Sequence, residues 1–571
     1  MKGINLPNIW KEGQLFASSG LEGRTDWYHP FVASTLFSPG ALLFHTYPER
    51  KLIFSGKKIK NKKEDIVTSD FVFFSRPFLS YLFLDKDTII GQSHSSIIPE
   101  VSSGEGIKER REGNSIFQFA SQSYTVLLWK KSQKKVKFTY AFDSKNIENA
   151  LSKAKKGLKV DFILKKKKKL SFFKRLTRLK FPRPILERTY YKAFSVLKVN
   201  IESPQGKIKH IWTTPDRFPH KDMWFWDSAF HALGNRYISS TLAEDSIKAV
   251  LQLQRKDGFV AFQMNPEKKR ASEEYTQPPL LAWASYNLYC HSKNKTFLRY
   301  VYPRLKKYLL WLYRNRDKNK DGLLEWKISP SAVCKGGETG MDNSPRFDRL
   351  NPGDAMAAID LNSFVINEME YLERMAQELN KKGDIILWHK ERKLKKDSVN
   401  SRLWSKRDRF YYDLKENGKF NKIKTISSFL PLFAGIANKK QAQSLVNHLK
   451  NRKQFWSDFP IPSVSMDEPS YCKDMWRGPT WINYNYLIIE GLKRYGYNRL
   501  AHRIINKTLK EIARWYKKKG AIFEYYDSEG ETSPVRLLRK EWLGGKKYLG
   551  TIKDYHWSAA LYIALANFQF K

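Results

Sequence analysis

Cysteine is scarce in this sequence, and long apolar runs are absent from it. The chain of 571 residues holds three cysteines, Cys290, Cys334 and Cys472, which are widely spaced and odd in number. That pattern argues against a disulfide framework and favours a reducing compartment. No apolar run approaches the roughly 20 residues that a transmembrane helix requires. The N-terminus has no basic head followed by an apolar stretch, so we expect no signal peptide, no membrane association and a cytoplasmic location.

Acidic residues are also few relative to basic ones. The sequence has 57 Asp and Glu residues against 103 Lys and Arg residues, which gives a formal net charge of +46. Nucleic acid or an anionic membrane would suit such a charge, but no zinc finger, RNP-like segment or basic heptad region accompanies it. The charge is spread along the chain, so we favour a solvated, lysine-rich surface and expect no specific nucleic-acid partner. An anionic partner or substrate stays open, and the sequence does not specify an oligomeric state.

The first part of the chain has the pattern of an antiparallel β protein. Segments rich in Val, Phe, Tyr and Thr, such as residues 71–84, 123–129 and 135–142, are bounded by polar turns. We therefore predict an antiparallel β-sandwich domain over residues 1–163. The dense basic run that follows, together with the sequence FPRP, predicts a basic linker over residues 164–184.

From residue 185 onward the apolar residues recur with helical spacing. Phe297, Val301, Leu305 and Leu309 share one helix face, and a similar stripe follows Asp354. Further helices are predicted near residues 224–238, 242–254, 278–291, 380–404, 439–450, 479–496, 498–518 and 555–569. Roughly a dozen helices without long strands between them predict an all-helical domain over residues 185–571. That number is enough for a closed ring of helix pairs, although no sequence repeat is visible.

Two carboxylates far apart in sequence have surroundings that suit acid/base chemistry. Asp342 lies in the stretch GETGMDNSPRFD, and Glu524 lies in AIFEYYDSEGE. Two such groups can cleave a glycosidic bond without metal or organic cofactor, because one protonates the leaving oxygen while the other activates water. Aromatic segments such as MWFWDSAF and MWRGPTWINYNYL supply flat faces for a sugar ring. The alternatives are that Asp342 caps a helix and that Glu524 is a surface residue beside a hairpin.

Six segments carry a resemblance to a known family. They are WFWDSAFHALG (224–234), TQPPLLAWA (276–284), GMDNSPRFD (340–348), VNSRLWSKRDRFYYD (399–413), SFLPLFAGIA (428–437) and MWRGPTWINYNYLIIEGL (475–492). In order and composition they resemble glycoside hydrolase family 63, with a pattern most like its bacterial members and the mannosylglycerate and glucosylglycerate hydrolases. The resemblance implies an (α/α)6 toroid, an inverting mechanism and an α-linked substrate. The region before residue 164 resembles the β-sandwich that precedes the toroid in many bacterial members.

The same resemblance implies roles for the two carboxylates. Asp342 matches the general acid and Glu524 the general base, and in an inverting enzyme the two should stand roughly 6.5–9.5 Å apart. Glu338, four residues before Asp342, is the alternative acid or an anion beside it. We expect Asp348 to be structural and to pair with Arg346.

The resemblance also implies a set of sugar-binding residues. Trp226 and Asp227 match a pair that contacts the sugar in the −1 subsite, by an indole against the ring face and a carboxylate to hydroxyls. For Trp224 we expect core packing instead. The full set expected to bind substrate is Trp226, Asp227, Gln277, Trp476, Arg477, Gly478, Trp481 and, as a looser match, Arg217.

The sequence DKNKDGLLE places oxygen ligands at alternate positions. It resembles the start of a calcium loop, with Gly322 permitting the turn, and some bacterial members of the family carry such a loop. The expected ligands are Asp317, Asn319, Asp321, the carbonyl of Leu323, and Glu325. The alternative is a polar turn between helices, because Lys318 and Lys320 weaken the field for a cation. Such a Ca²⁺ would be structural, since the chemistry requires no cofactor.

Together these features predict an inverting hydrolase of α-linked glucosides or short α-gluco-oligosaccharides. One alternative is a glucosylglycerate or mannosylglycerate hydrolase, whose carboxylate-bearing substrate would suit a basic cleft. A second and weaker alternative is a carbohydrate-binding toroid without catalysis, against which the presence of both Asp342 and Glu524 argues.

Overall fold

The N-terminal part of the chain forms a β-sandwich in this computed structural model, which describes residues 4–268, 270–541 and 550–571. Residues 1–3 of the predicted sandwich, and residues 269 and 542–549 of the predicted helical domain, lie outside the described residues. One sheet has the order β1-β2-β3-β4-β9 and the other β10-β11-β12-β13-β8-β7-β6-β5. Its strands are β1 (Leu15–Phe16), β2 (Ala33–Thr35), β3 (Leu42–Phe44), β4 (Arg50–Gly56), β5 (Ile66–Val67), β6 (Phe71–Ser75), β7 (Phe78–Asp85), β8 (Thr88–His94), β9 (Ile97–Ser103), β10 (Lys108–Glu112), β11 (Ser115–Ala120), β12 (Ser123–Lys131) and β13 (Lys135–Asp143).

Two helices cover the outer face of the larger sheet. Helix α1 (Ile147–Lys159) packs on β12 and β13, and helix α2 (Phe162–Lys174) follows it. This cover explains why β7 and β13 are buried on both faces instead of alternating between buried and exposed side chains.

The basic segment 164–184 is mostly helical and packed, not an extended linker. It contains most of α2, and Phe172 and Phe173 join the core of the helical domain. Lys169 is buried, where its ammonium pairs with Asp70 and Glu22. The apolar residues within the lysine run therefore anchor this segment between the two domains.

Within the described residues, twelve helices follow α2. They are α3 (Pro184–Val199), α4 (Phe225–Asn235), α5 (Ser240–Leu251), α6 (Leu281–Ser292), α7 (Lys295–Asn315), α8 (Ile359–Glu378), α9 (Lys382–Arg402), α10 (Leu430–Phe433), α11 (Lys439–Lys450), α12 (Ile482–Arg494), α13 (Asn498–Lys519) and α14 (His556–Phe570). Helices α4, α6, α8, α10, α12 and α14 each contact the next, and α14 contacts α4. These six helices thus form a closed inner ring, which confirms the (α/α)6 toroid.

Burial separates the inner helices from the outer ones. Nearly every side chain of α4 and α14 is buried, whereas α13 buries one apolar stripe and exposes its lysines. Small residues allow the inner helices to approach closely. A Cβ on Gly234 of α4 would lie 2.5 Å from Ala560 of α14, and one on Gly491 of α12 would lie 2.7 Å from the backbone of α10.

Short strands connect the helices. The antiparallel pairs are β14 (Ile201–Glu202) with β15 (Trp212–Thr213), β16 (Met223–Trp224) with β17 (Gln263–Met264), β19 (Trp404–Ser405) with β20 (Phe410–Tyr411), and β23 (Thr480–Trp481) with β24 (Tyr525–Tyr526). A three-stranded sheet comprises β18 (Met356–Ala357), β21 (Asp413–Lys415) and β22 (Phe420–Asn421). Several site residues lie in or next to these strands.

The structure bears on two expectations, unpaired cysteines and the absence of a membrane-spanning helix. Cys290, Cys334 and Cys472 are all unpaired, as their number and spacing predict. In the part of the chain that the structure describes, every helix is too short or too polar to cross a bilayer.

Candidate active site

Most of the predicted site residues converge on one pocket. Asp342 and Glu524 both line it, although 182 positions separate them in the sequence. The predicted sugar-binding residues found in the same lining are Trp226, Asp227, Gln277, Trp476 and Trp481. The inner ring brings these residues together because their loops and short strands connect its helices.

A tight turn fixes the position of Asp342. The 3₁₀ turn Gly337–Thr339 ends at Gly340, whose φ of +72° lies in the left-handed region. A Cβ at that position would lie 2.4 Å from the Trp226 ring, so glycine also permits close contact with the indole. Asp342 is therefore held beside a residue of the expected −1 subsite, and it does not cap a helix.

Glu338 serves the structure of this loop. Its carboxylate is buried, pairs with Arg316, and accepts hydrogen bonds from the backbone N–H groups of Thr276 (3.0 Å) and Lys327 (2.6 Å). Both oxygens are thus occupied, which removes Glu338 as the alternative acid.

The expected pairing of Asp348 with Arg346 was wrong. Asp348 pairs with Arg477, whereas Arg346 makes buried ion pairs with Asp360 and Asp413. The nearer partner in sequence was not the partner in space.

Glu524 is buried next to β24, with 3% of its surface exposed. Its backbone N–H donates to the Ile552 carbonyl at 3.0 Å, and its own carbonyl accepts from Ser558 Oγ at 3.2 Å. Both of its carboxylate oxygens face Arg539, with Nη2 to Oε1 at 3.3 Å. The alternative of a surface glutamate beside a hairpin is therefore wrong.

Lys540 pairs with the other carboxylate. Its Nζ lies 2.5 Å from Oδ2 of Asp342 and 3.7 Å from Sγ of Cys334. Burial lowers the pKa of Lys540, but Asp342 and Cys334 outweigh it and raise the pKa above its usual value. Burial and the charge of Asp342 raise the pKa of the Cys334 thiol to about 12, so this cysteine is a neutral neighbour.

Asp227 is a third carboxylate at the pocket. It is buried at the start of α4, and its Oδ1 accepts from the Tyr555 hydroxyl at 3.3 Å. Burial, and after it the charge of Glu524, raise the pKa of Asp227 well above its usual value. Asp227 thus suits hydrogen bonding to sugar hydroxyls in either protonation state.

Indole rings form the pocket walls. Trp476 and Trp481 stack with ring centroids 3.7 Å apart, and Trp557 packs edge-on against Trp226 at 5.4 Å. The buried indole nitrogens of Trp476 and Trp224 have no hydrogen-bond partner among the described residues. Trp224 also lines the pocket, which corrects the expectation that it belongs to the core.

Three predicted substrate-binding residues lie outside the lining of this pocket. Arg217 pairs with buried Glu202 and donates to the Val199 carbonyl, so it holds the start of the helical domain together. The guanidinium of Arg477 is turned to Asp348. Gly478 is packed against the Cys472 carbonyl, which lies 2.1 Å from where a Cβ would be. Their contacts with sugar stay a prediction.

The pocket also holds residues that sequence reasoning missed. They are His220, Met475, Arg539, Lys540, Tyr555 and Trp557. Tyr555 and Trp557 belong to the sequence DYHW at the start of α14, whose aromatic content was an available signal. Arg539 and Lys540 lie in RLLRK, which looks like many other basic stretches of this chain, so no local signal distinguished them.

The predicted calcium loop gathers three carboxylates. Ligand oxygens of Asp317, Asp321 and Glu325 all lie within 4.8 Å of one another. Oε1 of Glu325 is buried without a hydrogen-bond partner among the described residues, and burial raises the pKa of this group to about 7. Asn319 Oδ1 accepts from the Asp321 N–H at 3.2 Å, and Arg402 pairs with Asp321. The donor set fits a hard cation such as Ca²⁺.

Carboxylates and indoles that converge on one pocket of an (α/α)6 toroid define a toroidal glycoside hydrolase. The family model described as "Mannosylglycerate hydrolase MGH1-like glycoside hydrolase domain" matches residues 219–558, and the chain belongs to this family.

Individual relatives are similar to parts of the chain. An uncharacterized protein of Borreliella burgdorferi is 29% identical over 52% of this chain and 61% of its own length, so the chain spans less than two thirds of that relative. Mannosylglycerate hydrolase MGH1 of Selaginella moellendorffii is 26% identical over 58% of this chain and 79% of its own. The crystal structure of a GH63 mannosylglycerate hydrolase from Thermus thermophilus in complex with glucose is 25% identical, with a TM-score of 0.53, over 66% of this chain and 99% of that one.

Proposed function

We propose that this protein is an inverting hydrolase of α-glycosides whose aglycone carries a carboxylate, such as mannosylglycerate or glucosylglycerate. The observation that carries the proposal is the pocket shared by Asp342, Glu524 and the indoles of Trp226 and Trp476. Asp342 is the acid on the side of the leaving group, and Glu524 is the base on the side of the attacking water.

The chemistry needs one proton transfer at each carboxylate. Asp342 gives its proton to the glycosidic oxygen as the bond to the anomeric carbon breaks. Glu524 takes a proton from water as the oxygen of that water bonds to the opposite face of the same carbon. Arg539 faces both oxygens of Glu524 and orients this carboxylate for the step. The products are a free sugar of inverted configuration and the aglycone alcohol.

The proposed substrates, glycosides with an anionic aglycone, differ from the neutral α-glucosides that the sequence predicted first. The family match and the Selaginella and Thermus relatives are described as mannosylglycerate hydrolases, which supports the alternative of a glycerate glycoside. The basic residues of the pocket support it too, because Arg539 and Lys540 both reach the lining. An anionic aglycone suits such a lining better than a neutral oligosaccharide does.

A substrate panel tests this proposal. We expect kcat/KM for mannosylglycerate or glucosylglycerate to exceed that for maltose, trehalose and other neutral α-glucosides by at least about tenfold. A preference for a neutral α-glucoside would contradict the substrate class while leaving the hydrolase assignment intact. Absence of hydrolysis with every member would favour a binding toroid.

We also propose a structural Ca²⁺ held by the loop from Asp317 to Glu325, with Asn319 and the Leu323 carbonyl as further oxygen donors. The close approach of three carboxylates and the unpartnered Glu325 oxygen support it. A cytoplasmic location is proposed as well, on the basis of the three unpaired cysteines.

A further inference from the structure

The two carboxylates of the pocket are paired with cations that are neighbours in sequence. Arg539 faces Glu524, and Lys540 faces Asp342. For the base, a permanent cation is compatible with its role, because the base must be charged. For the acid, the same arrangement conflicts with its role, because the ammonium lies 2.5 Å from Oδ2 and occupies the carboxyl group that must reach the glycosidic oxygen.

The backbone around Lys540 is fixed beside the pocket, while its side chain carries the ammonium. The residue has a φ of +64°, a left-handed conformation that costs energy in a residue with a Cβ. Its N–H donates to Asp474 Oδ1 at 2.6 Å, and Leu538 two residues earlier forms a β-bridge with Asp474. The Tyr525 hydroxyl donates to the Leu538 carbonyl at 2.8 Å. Lys540 is thus placed by a bonded segment of the cleft wall, not by a freely moving surface loop.

The position of Lys540 relative to the reaction follows from the role of Asp342. A general acid touches the oxygen that joins the sugar to the aglycone, so a group paired with the acid lies within reach of the aglycone. Arg539 is committed to the base on the water side. Lys540 is therefore the basic residue of the described pocket lining that is placed to meet a negative charge on the leaving group.

We propose that Lys540 is a charge-operated latch on the general acid: it pairs with Asp342 in the free enzyme and transfers to the carboxylate of an anionic aglycone when substrate binds. This inference rests on the proposed function. It adds a specificity-determining residue and a reason why a neutral glycoside is hydrolysed slowly even where its sugar fits.

The proton balance of the latch is simple. When the ammonium of Lys540 moves to the aglycone carboxylate, the Asp342 carboxyl group, which has taken one proton from solvent, is free to contact the glycosidic oxygen. That proton then passes to the glycosidic oxygen, and Glu524 receives one proton from the attacking water. A neutral aglycone offers no competing anion, so Lys540 stays on Asp342 and the carboxyl group contacts the leaving oxygen less often.

Several other charged or titratable groups lie near Asp342 and Lys540. Asp342 faces Lys540 and the thiol of Cys334, and Lys540 also feels the positive charge of Arg539. The remaining titratable groups of the lining are His220, Asp227, Glu524 and Tyr555. His220 has its own partner, Asp216, at 2.9 Å.

A matched pair of substrates isolates the charge of the aglycone. Mannosylglycerate and mannosylglycerol differ by a carboxylate in place of a hydroxymethyl group, and the sugar is the same. We expect the wild-type ratio of kcat/KM for the two to fall at least about tenfold in Lys540→Met. The loss should arise from a higher KM for mannosylglycerate together with a higher kcat for mannosylglycerol, because Asp342 is no longer held.

Three further variants act as controls. Lys540→Arg keeps the charge and should retain most of the ratio, and Lys540→Gln replaces Lys540→Met if that variant fails to fold. Lys327→Met removes a lysine that pairs with Glu274 outside the pocket lining, so its ratio should equal that of the wild type. A Lys327→Met effect as large as that of Lys540→Met would attribute the preference to general charge and overturn the latch.

The separate KM and kcat values give a readout that a merely structural lysine would not move. With mannosylglycerol as substrate, kcat should be higher in Lys540→Met than in the wild type, because no ammonium occupies the Asp342 carboxyl group. An unchanged substrate ratio, or an unchanged kcat for mannosylglycerol, would overturn the inference. If the wild type itself prefers mannosylglycerol, the proposed function fails first and is recognised separately from the behaviour of the variants.

Discussion

Asp342 and Glu524 illustrate how the surroundings of two chemically similar side chains assign them different tasks. Glu524 is almost fully buried, and both of its carboxylate oxygens face a guanidinium. About a fifth of the Asp342 side chain is exposed to solvent, and its partner is one lysine. A fixed, charged carboxylate suits a base, and a more exposed one with an exchangeable partner suits an acid that must reload its proton.

Substitution of each carboxylate should separate these roles. We expect Asp342→Asn and Glu524→Gln each to lower kcat by about 10²–10⁴-fold on a glycoside with a poor leaving group. On the corresponding α-glycosyl fluoride, whose leaving group needs little protonation, Asp342→Asn should regain much of its rate and Glu524→Gln should not. Glu529→Gln, five residues from the base and outside the pocket lining, is the matched control. Equal recovery of both variants on the fluoride would contradict the assignment.

At the level of secondary structure, local periodicity predicted the helices well because helix formation is decided over short stretches of sequence. The predicted helix near 439–450 coincides with α11, where Asn438 and Gln441 form a capping box. The segment SFLPLFAG has no such period. It contains the end of the 3₁₀ turn Ile426–Phe429 and the short α10, yet completes the inner ring through contacts of α10 with α8 and α12. Its place in the ring depends on distant residues and could not be predicted locally.

The loop between α7 and α8 should respond to calcium. We expect Ca²⁺ at a hundredfold excess over its Kd to stabilise the protein by about 3 kcal/mol, and chelation to remove that gain. Asp317→Asn should abolish the response, because the substitution removes a charged oxygen ligand. Differential scanning calorimetry with and without chelator measures this, with Asp458→Asn at an exposed position as control. A melting temperature of the wild type that ignores both Ca²⁺ and chelator would contradict the site.

A buried glutamate joins two inner helices and should make stability depend on pH. Glu368 of α8 accepts from the N–H groups of Ala282 (2.7 Å) and Trp283 (2.8 Å) at the start of α6, and burial raises its pKa to about 7. A raised pKa in the folded state means that stability is fully present below the unfolded value near 4.5 and is lost as pH rises through about 7.

Glu368→Gln should remove this dependence. We expect the difference in unfolding free energy, wild type minus variant, to fall by about 1.4 kcal/mol per pH unit between about pH 4.5 and 7, and to level off above that. Denaturant titrations at several pH values measure it. A difference that stays constant across this range would show that Glu368 titrates normally in the folded protein.

At the scale of the whole molecule, buried ion pairs join the sandwich to the toroid. Asp70, just before β6, lies between the ammonium groups of Lys169 on α2 (2.8 Å) and Lys198 on α3 (2.6 Å). Asp554, just before α14, accepts from the Leu15 N–H at 2.9 Å and pairs with Lys192. Part of the large basic excess of the chain is therefore used in the domain interface, which the sequence did not reveal because each partner lies many residues away.

Removal of the Asp70 charge should weaken the whole molecule. Burial alone would raise the pKa of Asp70, but the two lysines outweigh it and hold the pKa below its usual value. We expect Asp70→Asn to lower the unfolding free energy by about 3–5 kcal/mol at neutral pH, because it leaves two buried ammonium groups to share the single carboxylate of Glu22. The loss should shrink as the pH falls below about 4, where the wild type begins to lose the same interaction. Glu12→Gln, at an exposed position, should change little, and a similarly small effect of Asp70→Asn would contradict this account.

Sequence reasoning identified the reactive residues but not the partners that control them. Asp342, Glu524 and five of the predicted sugar-binding residues lie in recognisable aromatic or glycine-containing motifs, and the structure brings them to one pocket. Arg539 and Lys540 are two among 103 basic residues, and their importance comes from where a β-bridge between residues 474 and 538 places them. Tertiary placement of common residues is the part that local sequence does not encode.

The most direct test of the central claim is the configuration of the first-formed product. Proton NMR during hydrolysis of an α-linked mannosylglycerate or glucosylglycerate should detect the β-anomer of the sugar first, with the α-anomer appearing later by mutarotation. That result would establish direct attack by water between Asp342 and Glu524. Initial release of the α-anomer would contradict it and assign Glu524 or Asp342 to a covalent, retaining mechanism.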